Sequence, residues 1–152
     1  MNKKSLKQQI IGIVSMICLP IIRFYWFLFR PKTTGIKCIV RYENEVLMIK
    51  NTYGRWPWTF PGGTVNKDEG LANAAEREVV EEVGVEIKNL RQIGQFESTK
   101  EYKLDLINVF VADAENKEIK IDTNEISDAQ WFSLSNLPEI TSYAQKMISM
   151  LK

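Results

Sequence analysis

Histidine is absent from all 152 residues. That removes Ser-His-Asp and Cys-His nucleophilic machinery, together with any histidine-ligated zinc site. Acid–base work near neutral pH is left to carboxylates, a lysine, a tyrosine or metal-bound water. Cysteine is scarce as well: Cys18 and Cys38 are too few and too differently placed for a metal set, and both read as small apolar residues. No internal repeat or low-complexity tract is visible, and 45% hydrophobic content at this length fits a domain of ordinary size. Acids are missing from residues 1–33, which carry Lys3, Lys4, Lys7, Arg23, Arg30 and Lys32. That local charge of +6 leaves 14 bases against 19 acids, or −5, for the remainder. A body of that sign does not suggest broad attraction to nucleic acid, so no nucleic-acid partner is expected, although a capped RNA end stays open.

The acids that are present gather where repulsion should forbid them. At ~100° per residue, positions 78, 81 and 82 of a helix fall within an arc of about 100°, so Glu78, Glu81 and Glu82 share one edge. Like charges at i,i+4, such as Glu78 and Glu82, cost an isolated helix about 0.2–0.5 kcal/mol. A hard divalent cation among them removes that cost, because such ions take oxygen ligands, keep waters and can activate one of them. Around this edge, Pro61-Gly62-Gly63 is a turn signal that lets backbone approach a ligand, and Gly84 stands where a left-handed cap is expected. Leu71, Ala72, Ala75, Val79 and Val83 form an apolar stripe beside the glutamates, so the helix is expected to bury one side and hold metal on the adjoining one. Arg77 lies four residues before Glu81, within reach of a charge-assisted hydrogen bond.

The spacing extends well beyond the helix. Gly63, five residues, Glu69, seven residues, Arg77-Glu78-Val79, one residue, Glu81-Glu82, one residue, Gly84-Val85 resembles the Nudix box at every fixed position. At a background near one in fifteen per position, such a match arises by chance about once in a million chains of this length. That decides against a merely solvated charged helix. The resemblance covers about Thr34 to Pro138 and implies an α/β fold, an alpha-beta-alpha sandwich with a mixed sheet. It implies Mg²⁺ or Mn²⁺ held by the carbonyl of Gly62 and the carboxylates of Glu78, Glu81 and Glu82, with Arg77 and Glu69 orienting them. It leaves the general base open between Glu78 and an acid outside the box, here Glu125, six residues before Trp131. The implied reaction is hydrolysis of a diphosphate bond in a nucleotide-like small molecule. A binding module that senses a nucleotide without turnover is the rival, although such modules lose box carboxylates and none is lost here.

For the substrate, Arg55 is a candidate phosphate contact, and Tyr53, Trp56 or Trp58 a candidate stacking surface for a base. Tyr102 lies 17 positions after Val85, roughly where dinucleoside-polyphosphate hydrolases place a tyrosine. The proline that marks ADP-ribose enzymes is absent near position 100, and the motifs of nicotinamide-dinucleotide or coenzyme A hydrolases are not evident.

Hydrophobic alternation predicts strands at Lys37–Tyr42 and Val46–Lys50 around a Glu43-Asn44 turn, then at Leu90–Glu97, Leu104–Ala112 and Ala129–Phe132, with a last helix over Ser142–Leu151. Residues 34–152 are thus expected to form the catalytic domain and residues 1–33 a separate apolar helix. From Ile10 to Phe29 there are twenty residues with Arg23 as their sole charge, about one bilayer thickness. Pro20, Arg23 and the Phe24-Tyr25-Trp26 cluster also suit a shallow, interfacial helix. Membrane contact through residues 1–30, at the cytoplasmic face, and packing of the helix on the domain are both open.

Overall fold

Apolar side chains alternate to both faces of one sheet, and that decides the architecture. The computed structural model describes residues 32–52, 57–98 and 104–151. Those of 34–96 and 106–151 belong to one unit, to which everything below refers. In the other unit the Thr33 hydroxyl donates to the Asp105 carboxylate. The apolar basic segment of residues 1–31 lies outside the described residues, as do Tyr53, Arg55, Trp56 and Tyr102. Among the described residues no helix is long and apolar enough to cross a membrane.

The strands are β1 (Lys32–Tyr42), β2 (Glu45–Asn51), β3 (Ile87–Ser98), β4 (Leu104–Ala114) and β5 (Ile126–Ser133), and the helices are α1 (Leu71–Val83) and α2 (Ser142–Ile148). The sheet order is β3-β4-β1-β2-β5. Ile36, Cys38 and Val40 of β1 join Leu47, Ile49, Phe110 and Ala112 in a core closed by Ala74, Ala75, Val79 and Val83 of α1. The alternate residues Ile39, Val46, Met48, Val109 and Val111 pack with Ala144 and Met147 of α2 on the other face. A sheet buried between two helices is the alpha-beta-alpha sandwich implied by the resemblance. Cys38 sits inside it as an apolar residue, its thiol pushed up to about 12 by burial.

Strands β1 and β2 form an antiparallel hairpin in which Tyr42 faces Glu45 and Glu43 takes a left-handed φ of 52°. Strand β5 runs antiparallel to β2 from Glu45–Ser133 to Lys50–Asp128, with a bulge after Lys50. This pairing starts β5 at Ile126, three residues before the apolar alternation becomes visible in the sequence. Helix α2 ends sooner than expected, because Met150 and Leu151 donate to the carbonyls three residues back rather than four.

Helix α1 also departs from its expected orientation. Ala72 is exposed, whereas Ala74, Glu78 and Glu82 are buried with Ala75, Val79 and Val83. The glutamate edge is therefore part of the buried face. Gly84 closes the helix at φ 65°, its N–H on the Val80 carbonyl. Lys120 N–H then donates to the Val83 carbonyl and Asp122 N–H to that of Glu82, at 2.8 and 3.1 Å. These bonds satisfy the last-turn carbonyls of α1 and bring the segment before β5 to the glutamates.

Candidate active site

The Pro61-Gly62-Gly63 turn lies along β1, with Cys38 N–H donating to the Pro61 carbonyl and Ile36 N–H to that of Gly63, both at 2.9 Å. So close a lie requires glycine: Gly62 has φ 134°, and a Cβ there would stand 2.4 Å from the Ile36 carbonyl oxygen. The turn presents its backbone to α1. Gly62 N–H donates to Glu82 Oε2 at 2.7 Å, and a Cβ on Gly63 would fall 2.6 Å from both carboxylate oxygens of Glu78.

Arg77 ties the rest of the box together. Its Nε and Nη2 donate to the two oxygens of Glu69 at 2.7 and 2.9 Å, a bidentate pair, while Nη1 reaches Glu78 Oε1 at 2.8 Å and Glu81 Oε2 at 3.0 Å. Nη2 also reaches the Thr64 carbonyl at 3.2 Å, which fixes the guanidinium to the turn. Glu69 takes a further bond from Asn66 N–H, and the Arg77 hydrogen bonds, with this one, hold its carboxyl down at about 2. Arg77 is raised above its ordinary value by the same partners.

Glu78, Glu81 and Glu82 face Asp122 and Glu125 across a recess of roughly 190 Å³. Glu82 is 7% exposed, and that burial raises its carboxyl to about 6; the Lys37 ammonium and Gly62 N–H oppose the rise, and Glu78 and Glu125 add to it. Asp122 Oδ1 accepts from both the N–H and the Nδ2 of Asn124, closing a turn. Glu125 is exposed, with its backbone pinned by Thr52 N–H on its carbonyl at 2.7 Å and its own N–H on the Asp122 carbonyl. Among the described residues no three acids are gathered tightly enough to cage an ion as they stand. The donor set nevertheless fits a hard divalent cation: five carboxylates border one recess, and the Arg77 guanidinium offsets only part of their charge, while burial lowers the pKa of Lys37 beside them.

This geometry carries the spacing read from the sequence, and the family model of the NUDIX domain matches residues 31–152. The chain belongs to the Nudix hydrolase family. The NAD-capped RNA hydrolase NudC of Vibrio parahaemolyticus is 32% identical over 102 residues, covering 66% of this chain and 38% of that protein. The chain spans about two fifths of the length of the curated relatives it matches. The solved MutT NUDIX hydrolase of Burkholderia pseudomallei shares the fold at a TM-score of 0.70 and 22% identity, covering 80% of this chain and 98% of that one. The NUDIX domain of Shewanella oneidensis NrtR, solved with ADP ribose, does so at 0.68 and 17%, covering 81% and 88%.

Within this Nudix site the structure brings Gly62, Glu69, Arg77, Glu78, Glu81, Glu82 and Glu125 together. Trp58 is 7% exposed, packs edge-on against Phe132 at 4.8 Å and carries the Lys50 ammonium 4.5 Å from its ring centre, so in this structure it packs in the core. The Gly62 carbonyl, a ligand implied by the resemblance, accepts from Lys37 Nζ at 2.6 Å. Lys37 and Asp122 were both missed from sequence. A lysine inside the apolar run Ile36–Val40, and an acid three residues before Glu125, were the available signals.

Proposed function

We propose that this Nudix domain hydrolyses a diphosphate linkage in a nucleotide-like small molecule, with Mg²⁺ or Mn²⁺ as cofactor. The observation that carries the reading is the convergence of five carboxylates, from α1 and from the segment before β5, on one recess beside a complete Nudix box. Glu78, Glu81 and Glu82 would hold the cation. When bound, it would polarise a phosphoryl oxygen and lower the pKa of water. Arg77 keeps Glu78 and Glu81 aligned through its fork, and Glu69 anchors that fork. Glu125, exposed on the opposite wall, takes the proton of the attacking water, with Glu78 the alternative base. Arg55 and Tyr53 contact the substrate. The names of the relatives fit, since NAD and ADP ribose each contain a diphosphate linkage. We place the activity in the cytoplasm, with residues 1–30 contacting a membrane.

A panel of nucleoside diphosphate derivatives, NAD and ADP ribose among them, tests the reaction. Purified protein should release a nucleoside monophosphate or phosphate with Mg²⁺ and not with EDTA. No product from any member would leave a binding module in its place.

A further inference from the structure

Asp122 borders the recess but neither holds the cation nor takes the proton in the reaction above. Its N–H donates to the Glu82 carbonyl at 3.1 Å, which ties the wall opposite to the last turn of α1. Its own carbonyl accepts from Glu125 N–H at 3.1 Å and from Ile126 N–H at 2.8 Å, and Ile126 is 1% exposed, so the turn is seated in the core at its far end. The side chain closes the turn from inside. Asp122 Oδ1 accepts from Asn124 N–H at 2.9 Å and from Asn124 Nδ2 at 2.8 Å. A short acid that bonds the backbone two residues on is the kind of side chain that stabilises such a turn. Glu125 comes next in the chain, exposed, with its carbonyl on Thr52 N–H at 2.7 Å. Where its carboxylate stands depends on the conformation of residues 122–125, within which the Asp122 side chain fixes Asn124.

Resting on the reading of Glu125 as the base, we propose that Asp122 is a positioning residue that acts through Glu125: its carboxylate serves as the acceptor of the turn, and its charge is not what the reaction uses. A misplacement of about 1 Å at a reacting group can cost on the order of 100-fold in rate, so a local turn of this kind is enough to matter. Asparagine keeps the accepting oxygen and drops the charge, whereas alanine drops both. That pair of substitutions separates positioning from a direct role as ligand or base.

Steady-state kinetics on a nucleoside diphosphate derivative at saturating Mg²⁺, together with amide exchange of the metal-free proteins, test this. Asp122→Ala should lower kcat about 10- to 100-fold with KM little changed, and Asp122→Asn should keep kcat within about threefold of wild type. Exchange at Asn124 and Glu125 should quicken in Asp122→Ala and not in Asp122→Asn, with the melting temperature and the exchange of the sheet unchanged in both. In the Glu125→Gln background Asp122→Ala should cost nothing further, since its effect passes through the carboxylate already removed. A loss in Asp122→Asn equal to that in Asp122→Ala would overturn the proposal and make the charge the working part. Full additivity with Glu125→Gln, or undiminished kcat in Asp122→Ala, would overturn it as well. If Asp122→Ala does not fold, Asp122→Asn decides: kept kcat supports the turn acceptor and lost kcat contradicts it. Full turnover in Glu125→Gln would defeat the inference and leave the hydrolase reading standing, whereas an inactive wild type would remove both.

Discussion

Glycine at position 63 is a matter of carboxylate placement. The atoms that a Cβ would strike there belong to the end of the flexible Glu78 side chain, at 2.6 Å, whereas at Gly62 the clash at 2.4 Å is with backbone. The two substitutions should therefore fail differently. Gly63→Ala should fold with little change in melting temperature while Mg²⁺ affinity or turnover falls about 10- to 100-fold through a displaced Glu78. Gly62→Ala, strained at its φ and blocked by β1, should lose roughly 1–3 kcal/mol of stability. Equal loss of stability in both would contradict this assignment. Glu82 gives a prediction in pH. Its folded value of about 6 lies above its ordinary 4.5, so its contribution to stability is full below 4.5 and is lost as pH rises through 6. In EDTA, the wild type should lose stability relative to Glu82→Gln between about pH 5 and about pH 7. Glu69 acts oppositely: its stabilisation is present above 4.5 and is lost as pH falls towards 2. Parallel pH profiles for the wild type and Glu82→Gln would remove the desolvated carboxylate from the account.

Helix α1 and the segment before β5 form the working element, and Gly84 is their joint. A Cβ there would meet Lys120 Cβ at 2.9 Å and the Lys120 carbonyl at 3.0 Å, on a residue already at φ 65°. Gly84→Ala should cost about 1 kcal/mol or more from the backbone conformation and push residues 120–125 away from Glu82. Faster amide exchange over residues 120–126, with the sheet unaffected, would be the expected result; unchanged exchange there would contradict it. This joint also marks where sequence reading stopped. Periodicity placed Glu78, Glu81 and Glu82 on one edge, because angles between helix positions are fixed by geometry. It did not set which arc meets the sheet, because alanine is apolar enough for the core and small enough for the surface, and Ala72 and Ala74 exchanged roles. The start of β5 was hidden for a related reason: Ile126 and Asp128 are strand residues by virtue of Asn51 and Lys50 opposite them. Lys37 was legible only as a lysine inside an apolar run, since its partners are two carbonyls more than twenty positions away.

At the scale of the whole chain, charge is divided between a segment of +6 over residues 1–33 and a remainder of −5. Each basic residue near an anionic leaflet adds about 1 kcal/mol to apolar insertion. The 152-residue protein should therefore float with anionic liposomes, and one lacking residues 1–30 should stay at the bottom of the gradient with hydrolase activity intact. A 152-residue protein that also stays at the bottom would assign the segment to packing. In that remainder five acids border one recess, with Arg77 as an internal counter-charge and Lys37, its pKa lowered by burial, beside them. The central claim is that these acids form a metal-dependent diphosphate hydrolase site. Turnover of a nucleoside diphosphate derivative at saturating Mg²⁺, compared among wild type, Glu81→Gln and Glu82→Gln, tests it most directly. Both variants should remain folded and lose activity by orders of magnitude, since each removes a ligand charge and preserves shape; undiminished turnover in both would contradict the claim.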